Sequence, residues 1–401
     1  MLIRHLWLLA SFFVTVTGLA ATSGLVVALG VFIFLIGGVA RLWTNLSLER
    51  VTYQRLMPER RAFVGERLAF SQTVENNKPL PLPWIEIEER IPEGIPPIGR
   101  TLKPSYIART GLLARSTGLS WYQRVTWDYE LECRERGYYK IGPARLRSGD
   151  LFGFFKRERE EEAGTDVLVL PRMYDIGELT LAAARPSGEL KGIQPLVEDP
   201  FRPAGVRDYR PGDSVRRLEW KATARRQTLQ SRVYEPAGSL ELLVALNINT
   251  MEKSWEGYDP VLLERAISVA ASVARDSLDA RLPTGLVANG SYPGADRPLR
   301  VAPARSLEQL PRILEALAVI SPLTLTPLAQ MLEEQRRLLP AGCTIVLVTA
   351  LMDDDLAAGL ATLASRHPVT MIAVGTPIAG PENVEVLHFG DRFSAQEAVL
   401  A

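Results

Sequence analysis

The chain reads as an α/β protein: a Rossmann-type, mainly parallel sheet in its C-terminal part, preceded by an all-β sandwich and an N-terminal two-helix transmembrane hairpin. Three observations predict this. Residues 6–40 carry no charge. Apolar and polar residues then alternate with a period of two as far as about residue 170, the pattern of half-buried strands. Beyond Leu240, short apolar runs are separated by helical periodicity, the pattern of a parallel sheet covered on both faces.

As a single helix, the 35 uncharged residues from Leu6 to Ala40 would extend about 52 Å, well beyond a hydrocarbon core of ~30 Å. The run therefore folds back, and Thr22, Ser23 and Gly24 divide it into two apolar arms flanked by Trp7 and Trp43. A cleaved signal peptide is the competing reading, since Arg4 and His5 precede an apolar core; the second uncharged arm argues against it. Arg4 before the first arm and Arg41, Arg50 and Arg55 after the second, with no charge in the turn, predict that both termini face the cytoplasm. Cys133 and Cys343 are the only cysteines and lie far apart, as suits a reducing compartment. Gly30, Gly37 and Gly38 would permit close helix packing, although glycine is common in membrane helices for other reasons.

Strands are expected at Leu68–Phe70, Ile85–Ile87, Ser120–Cys133, Gly137–Ser148 and Asp166–Pro171, punctuated by Asn76-Asn77 and several prolines. Short strands at this spacing suggest an immunoglobulin-like β-sandwich. The aromatic residues at 121, 122, 127, 129, 138 and 139 fit cross-strand pairs and core better than a binding groove. The expected boundaries are 1–46 for the hairpin (spans about 6–22 and 24–43), 47–174 for the sandwich, 175–198 for a linker, and 199–401 for the remainder.

Equal numbers of basic and acidic residues, 46 of each, exclude a chain-wide polyanion binder. The charge is local. Between Arg202 and Arg232 there are nine basic and three acidic residues. Pro211-Gly212 supplies turn chemistry, and Asp213 or Ser214 would cap a following helix. Arg207, Tyr209, Pro211, Gly212, Asp213, Arg216, Trp220, Lys221, Ala222, Ala224 and Arg225, followed by Leu229 and Tyr234-Glu235, resemble the signature of the domain-of-unknown-function 58 family (DUF58). Arg136-Gly137-Tyr138, Gly142-Pro143 and Asp150–Phe154 also resemble family members. The resemblance implies a membrane-anchored front, a C-terminal domain similar to the von Willebrand factor A fold, and an AAA+ ATPase partner of the MoxR type, beside which such proteins are commonly encoded.

After the signature, strands are expected at 239–248, 284–289, 343–350 and 369–375, with helices between them. Ligands on such sheets gather at the carboxyl ends of strands. Metal-binding members of the A-domain superfamily place Asp-x-Ser-x-Ser there, with a further Asp after a later strand. The corresponding positions here are Asn247, Asn249, Met251 and Thr349, a poor set for a hard divalent cation. No metal and no cofactor are therefore expected. Asp353–Asp355 read as a helix cap, and His5, His367 and His388 are too scattered for a cluster. No phosphate loop, nucleophile elbow or Cys-x-x-Cys pair occurs in the sequence.

The leading functional expectation is a membrane-anchored, non-enzymatic interaction and assembly factor working with a MoxR-type ATPase on a client protein. Arg216, Arg217, Lys221, Arg225 and Arg226 would form its docking surface. In the structural alternative, Asp208, Asp213 and Glu219 pair with some of those arginines while Tyr209 and Trp220 pack beneath them, fixing the junction between the two soluble domains. The functional alternatives are anionic lipid binding through 202–232, with nucleic acid less favoured, and an envelope-associated hydrolase, for which no apparatus or small-molecule substrate is evident.

Overall fold

The computed structural model describes residues 6–176, 198–210, 213–236, 241–252, 257–292, 295–324, 326–336, 339–340 and 343–389. The chain divides into two units, Met1–Leu170 and Pro171–Ala401.

The first unit opens with α1 (Leu6–Ala20) and α2 (Gly24–Ser47). The turn between them holds Thr22 at a φ of 47°. The helices run antiparallel, because Thr15 lies against Gly30 and Trp7 against Gly37. A Cβ would fall 2.3 Å from the Thr15 hydroxyl at Gly30 and 2.2 Å from the Trp7 ring at Gly37, whereas one at Gly38 would meet nothing. Two of the three glycines therefore permit the close approach, and Ser11 Oγ donates to Gly30 O at 2.9 Å across it. The outward faces are apolar, with Phe12, Phe13, Leu25, Phe32, Val39 and Leu42 exposed. By length and composition α2 is able to cross a membrane, while α1 is a shorter apolar helix. The Lys78 ammonium closes the C-terminal end of α2, donating to Ser47 O and, at 2.7 Å, to Glu49 O.

Eleven strands follow: β1 (Val51–Leu56), β2 (Arg61–Phe63), β3 (Arg67–Asn76), β4 (Leu82–Pro92), β5 (Lys103–Pro104), β6 (Thr110–Leu119), β7 (Arg124–Glu132), β8 (Gly137–Ile141), β9 (Ala144–Gly149), β10 (Lys156–Glu161) and β11 (Thr165–Leu170). They form sheets of order β1-β3-β7, β10-β9-β4-β6-β5 and β2-β11-β8. Leu68, Phe70, Ile91, Leu113, Leu131, Ile141 and Val167, drawn from all three sheets, build one core, and Val51, Val74, Ile85, Ile87, Leu119 and Leu146 build a second. The alternating burial of β3 is the period of two made visible. The aromatic residues divide between core and surface. Tyr129 is buried and Trp127 and Tyr139 pack on the core, but Trp121, Tyr122 and Tyr138 are exposed, because they stand at a turn or on the outward face of their strand. Glu89 is fully buried and is neutralised in place: it accepts from Gln72 Nε2 at 2.7 Å and also from Tyr53 and Arg55. Burial and this carboxylate push the Tyr53 hydroxyl far up.

In the second unit, β12 (Glu198–Asp208) pairs antiparallel with β13 (Gln230–Pro236). The excursion between them holds a 3₁₀ turn (Val215–Arg217) and α3 (Trp220–Arg226). There follow β14 (Leu242–Leu246), α4 (Pro260–Asp279), β15 (Thr284–Tyr292), β16 (Ala295–Ala304), α5 (Gln309–Val319), β17 (Ser321–Thr324), α6 (Leu328–Arg336), β18 (Thr344–Thr349), α7 (Asp354–Ala364), β19 (Val369–Ala373) and β20 (Glu385–His388). The sheet order is β16-β15-β14-β18-β19-β20, with β17 also on β15. β15, β14, β18, β19 and β20 are parallel, while β16 and β17 run antiparallel to β15, so the α/β sheet is mixed. Every residue of β14, β18 and β19 is buried, as a strand covered on both faces requires. Asp259 caps α4 by accepting from Val261 N and Leu262 N, with Pro260 at the first helical position. Asp175 and Ile176, at the start of the expected linker, are described with this unit: Tyr174 N donates to Ser272 Oγ of α4 at 2.8 Å, and Ile176 is buried. Residues 177–197 lie outside the described residues.

Candidate functional site

The basic signature occupies the excursion between β12 and β13. Asp213 grips Arg207 with both carboxylate oxygens at 2.8 Å and also accepts from Arg210 N at 2.9 Å. Those bonds, from Arg207 first, hold the Asp213 carboxyl below its ordinary range. Neither Asp213 nor Ser214 caps a helix as expected. Asp213 is committed to Arg207, and Ser214 flanks the 3₁₀ turn without a side-chain cap bond. Glu219 pairs with Arg232, which lowers its carboxyl likewise. Gln230, fully buried, ties the elements together: its side-chain amide donates to Asp208 Oδ1 at 2.6 Å, its N–H donates to Thr223 Oγ1 at 3.0 Å, and its carbonyl accepts from Glu219 N at 2.9 Å. Sequence reasoning missed this residue, since a single Gln between Leu229 and Ser231 interrupts no pattern.

With the three acids engaged inside the motif, its outer surface is basic and apolar. Arg216, Lys221, Ala224, Arg225 and Arg226 are exposed, and Arg226 also leans on Gln230 Oε1 at 3.4 Å. Arg217 is half-buried and engaged. Trp220 is 67 % exposed and Val215 68 %, so Trp220 does not pack beneath the arginines as the structural alternative held. Tyr209 is half-buried, and Tyr209 N donates to Leu229 O at 2.8 Å. Pro211 and Gly212 lie outside the described residues.

At the carboxyl edge of the sheet, Asn247 is buried at the centre of a polar network. Its Nδ2 donates to Thr349 Oγ1 at 3.1 Å, and its Oδ1 accepts from Asn289 Nδ2 at 2.9 Å and Asn249 N at 3.2 Å. Asn289 Oδ1 accepts from Ile248 N at 2.8 Å, and Thr324 Oγ1 donates to Asn249 Oδ1 at 2.5 Å. Met251 is exposed. Asn289 and Thr324 join positions that the sequence had singled out; they were not foreseen, because the register that brings β15 and β17 to this edge is not a local property. The network is made of amides and hydroxyls bonded to one another, which does not fit a hard divalent cation. Among the described residues no group of three His, Cys, Asp or Glu could hold a metal.

Residues 205–381, which contain most of the signature and the whole strand edge, match the family model "Protein of unknown function DUF58". This region matches the DUF58 family. The chain is also 27 % identical over 238 residues to "Uncharacterized protein YeaD" of Bacillus subtilis (strain 168), covering 59 % of this chain and 55 % of that one. It thus spans about half the length of the curated relative it matches. Among solved structures, it resembles the CARDB domain of a Pyrococcus furiosus protein in complex with di-metal ions at 14 % identity and a TM-score of 0.21, covering 30 % of this chain and 91 % of that one. It also resembles the sporulation control protein Spo0M of Bacillus subtilis at 10 % identity and a TM-score of 0.19, covering 34 % and 55 %. Likenesses at these scores carry nothing about the fold or its use.

Within the DUF58-matching region, Asp353, His367 and Cys343 are engaged in local packing and bonds. Asp353 caps α7, accepting from Leu356 N at 2.7 Å. His367 is buried with Nδ1 3.2 Å from Cys343 O, and burial lowers its pKa. Burial pushes the Cys343 thiol up to about 12, away from nucleophilic use.

Proposed function

We propose that the chain is a membrane-anchored, non-enzymatic interaction factor of the DUF58 family, with a von Willebrand A-like C-terminal domain and a signature that docks an acidic protein surface. The observation that carries this reading is the separation of charges within the signature. Asp208, Asp213 and Glu219 are bonded internally, to Gln230, Arg207 and Arg232, while Arg216, Lys221 and Arg225 stand exposed beside Trp220. Exposed Arg and Trp on a rigid base are the residue types that anchor interfaces. The partner we propose is an AAA+ ATPase of the MoxR type, with which the chain acts on a client protein. The apolar pair α1 and α2 supports a two-span anchor with both termini in the cytoplasm. A hydrogen-bonded Asn247–Asn289–Thr349 edge in place of carboxylates supports docking without a metal.

The test is co-purification of the full chain in detergent from cells that also express the MoxR-type ATPase, beside the variant Arg216→Glu/Lys221→Glu/Arg225→Glu. The parent is expected to bring the ATPase with it and the variant to lose it. Equal recovery by both proteins would remove the signature as the docking surface.

A further inference from the structure

A second basic surface, outside the DUF58-matching region, lies in the first unit where the apolar helices meet the β-domain. A cavity of about 570 Å³ is lined by Arg41, Thr44 and Asn45 of α2, by Glu49, and by Phe154–Arg157 at the start of β10. That volume falls within the ~300–1,000 Å³ of small-molecule sites. Three cations, Arg41, Lys156 and Arg157, face a single carboxylate, Glu49, which lies 3.5 Å from Arg157. Arg157 is held in place by Asn45 O of α2.

Beside this cavity the chain presents an apolar tip built to stay out of the fold. The Asp150 carboxylate is buried, accepts from the backbone N–H groups of Phe152, Phe154 and Phe155 at 3.0, 3.2 and 2.7 Å, and lies 3.5 Å from the Thr44 hydroxyl of α2. Trp84 Nε1 donates to Asp150 O at 3.2 Å. One carboxylate therefore fixes the turn beside α2. Leu151, Phe152 and Phe154 nonetheless remain 67, 62 and 64 % exposed. Phe155 meets Trp7, near the start of α1, edge-on at 6.3 Å, which sets the tip beside that end of the helix pair. An ordered apolar tip is costly in water and favourable in the acyl boundary of a bilayer.

We infer that the turn Asp150–Phe155 enters the membrane surface and that Arg41, Lys156 and Arg157 hold the phosphate of an anionic phospholipid headgroup. The inference rests on the reading that α1 and α2 lie in a bilayer, and it concerns residues separate from the basic signature. An acyl chain would lie along Leu151, Phe152 and Phe154 and the exposed face of α2, while the phosphate would sit among the cations, where anionic headgroups are attracted most strongly.

The full chain is reconstituted in phosphatidylcholine vesicles with and without phosphatidylglycerol, floated on a density gradient, extracted in mild detergent and weighed by native mass spectrometry. It is expected to float with both vesicles and to retain phosphatidylglycerol in preference to phosphatidylcholine. Arg41→Gln/Lys156→Gln should still float and lose the preference by about fivefold per cation removed. Lys156→Gln alone, an exposed change, should lose about fivefold. Phe152→Ser/Phe154→Ser should lower retention of both lipids. Excess inorganic phosphate should not displace the lipid; displacement would mean a site for free phosphate and would overturn the inference. A chain that floats and retains both lipids equally overturns the inference alone. A chain that does not float with neutral vesicles overturns the anchor and the inference together.

Discussion

Asp213 shows how the signature keeps its acids to itself. Its carboxyl pKa is depressed in the folded chain by Arg207 and by Arg210 N, so its contribution to stability is present above the unfolded pKa and lost as pH falls through the lower folded value. Carboxyl titration followed by NMR should place Asp213 below the ordinary carboxylate range, and Arg207→Leu should raise it towards that range. A titration at or above that range in the parent would deny the pair. The exposed cations need the opposite behaviour. Arg216→Glu/Lys221→Glu/Arg225→Glu should leave the thermal midpoint nearly unchanged, since surface changes away from such bonds stay within about ±0.5 kcal/mol each. At this scale the sequence conveyed the residue types of the site and their charge excess. It did not convey which arginines are engaged: Arg207 is held by Asp213 within the excursion and Arg232 by Glu219 across it, and neither pairing follows from periodicity.

Among the elements, the strand edge and the end of α2 make separate predictions. Asn247→Ala removes partners from Asn289 Nδ2, Thr349 Oγ1 and Asn249 N. Leaving a buried polar group unpaired costs about 1–3 kcal/mol, so a loss of that size or more is expected in urea unfolding, and no loss would show the network to be incidental. Lys78 is buried, desolvation chiefly lowers its pKa to about 8 in the folded chain, and the unfolded chain holds the proton up to the ordinary lysine value of 10.5. The unfolded state therefore binds more protons between those values, and stability should rise with pH across that window. In Lys78→Met this rise should disappear, as read by unfolding midpoints at pH 8 and 10; an identical rise in both proteins would remove Lys78 as its source. Strands buried on both faces, such as β14 and β18, were legible because four or five consecutive apolar residues bounded by polar ones have few other uses. β16 was not, because Arg300 and the prolines at 298 and 303 interrupt its apolar run and its antiparallel partner β15 is recognised only in the assembled sheet. The close contact of α1 with α2 was legible only as three glycines, and geometry selects Gly30 and Gly37 from among them.

For the whole molecule, sequence and structure agree on an α/β C-terminal region that follows strand-rich sequence and an uncharged, helical N-terminus. The surfaces on which the proposed function rests leave little periodic trace: the exposure of Trp220 and the turn held by Asp150 emerge only from packing. The central claim is that exposed cations of the signature bind an acidic protein partner while the acids of the same motif hold its shape. The most direct test titrates purified MoxR-type ATPase against the full chain in detergent, parent beside Arg216→Glu/Lys221→Glu/Arg225→Glu, with far-UV circular dichroism confirming that both are folded. The account predicts saturable binding by the parent and, at about 1.5–3 kcal/mol per charged hydrogen bond lost, at least a tenfold weaker complex for the variant. Equal affinities for two folded proteins, or no binding by the parent, would contradict it.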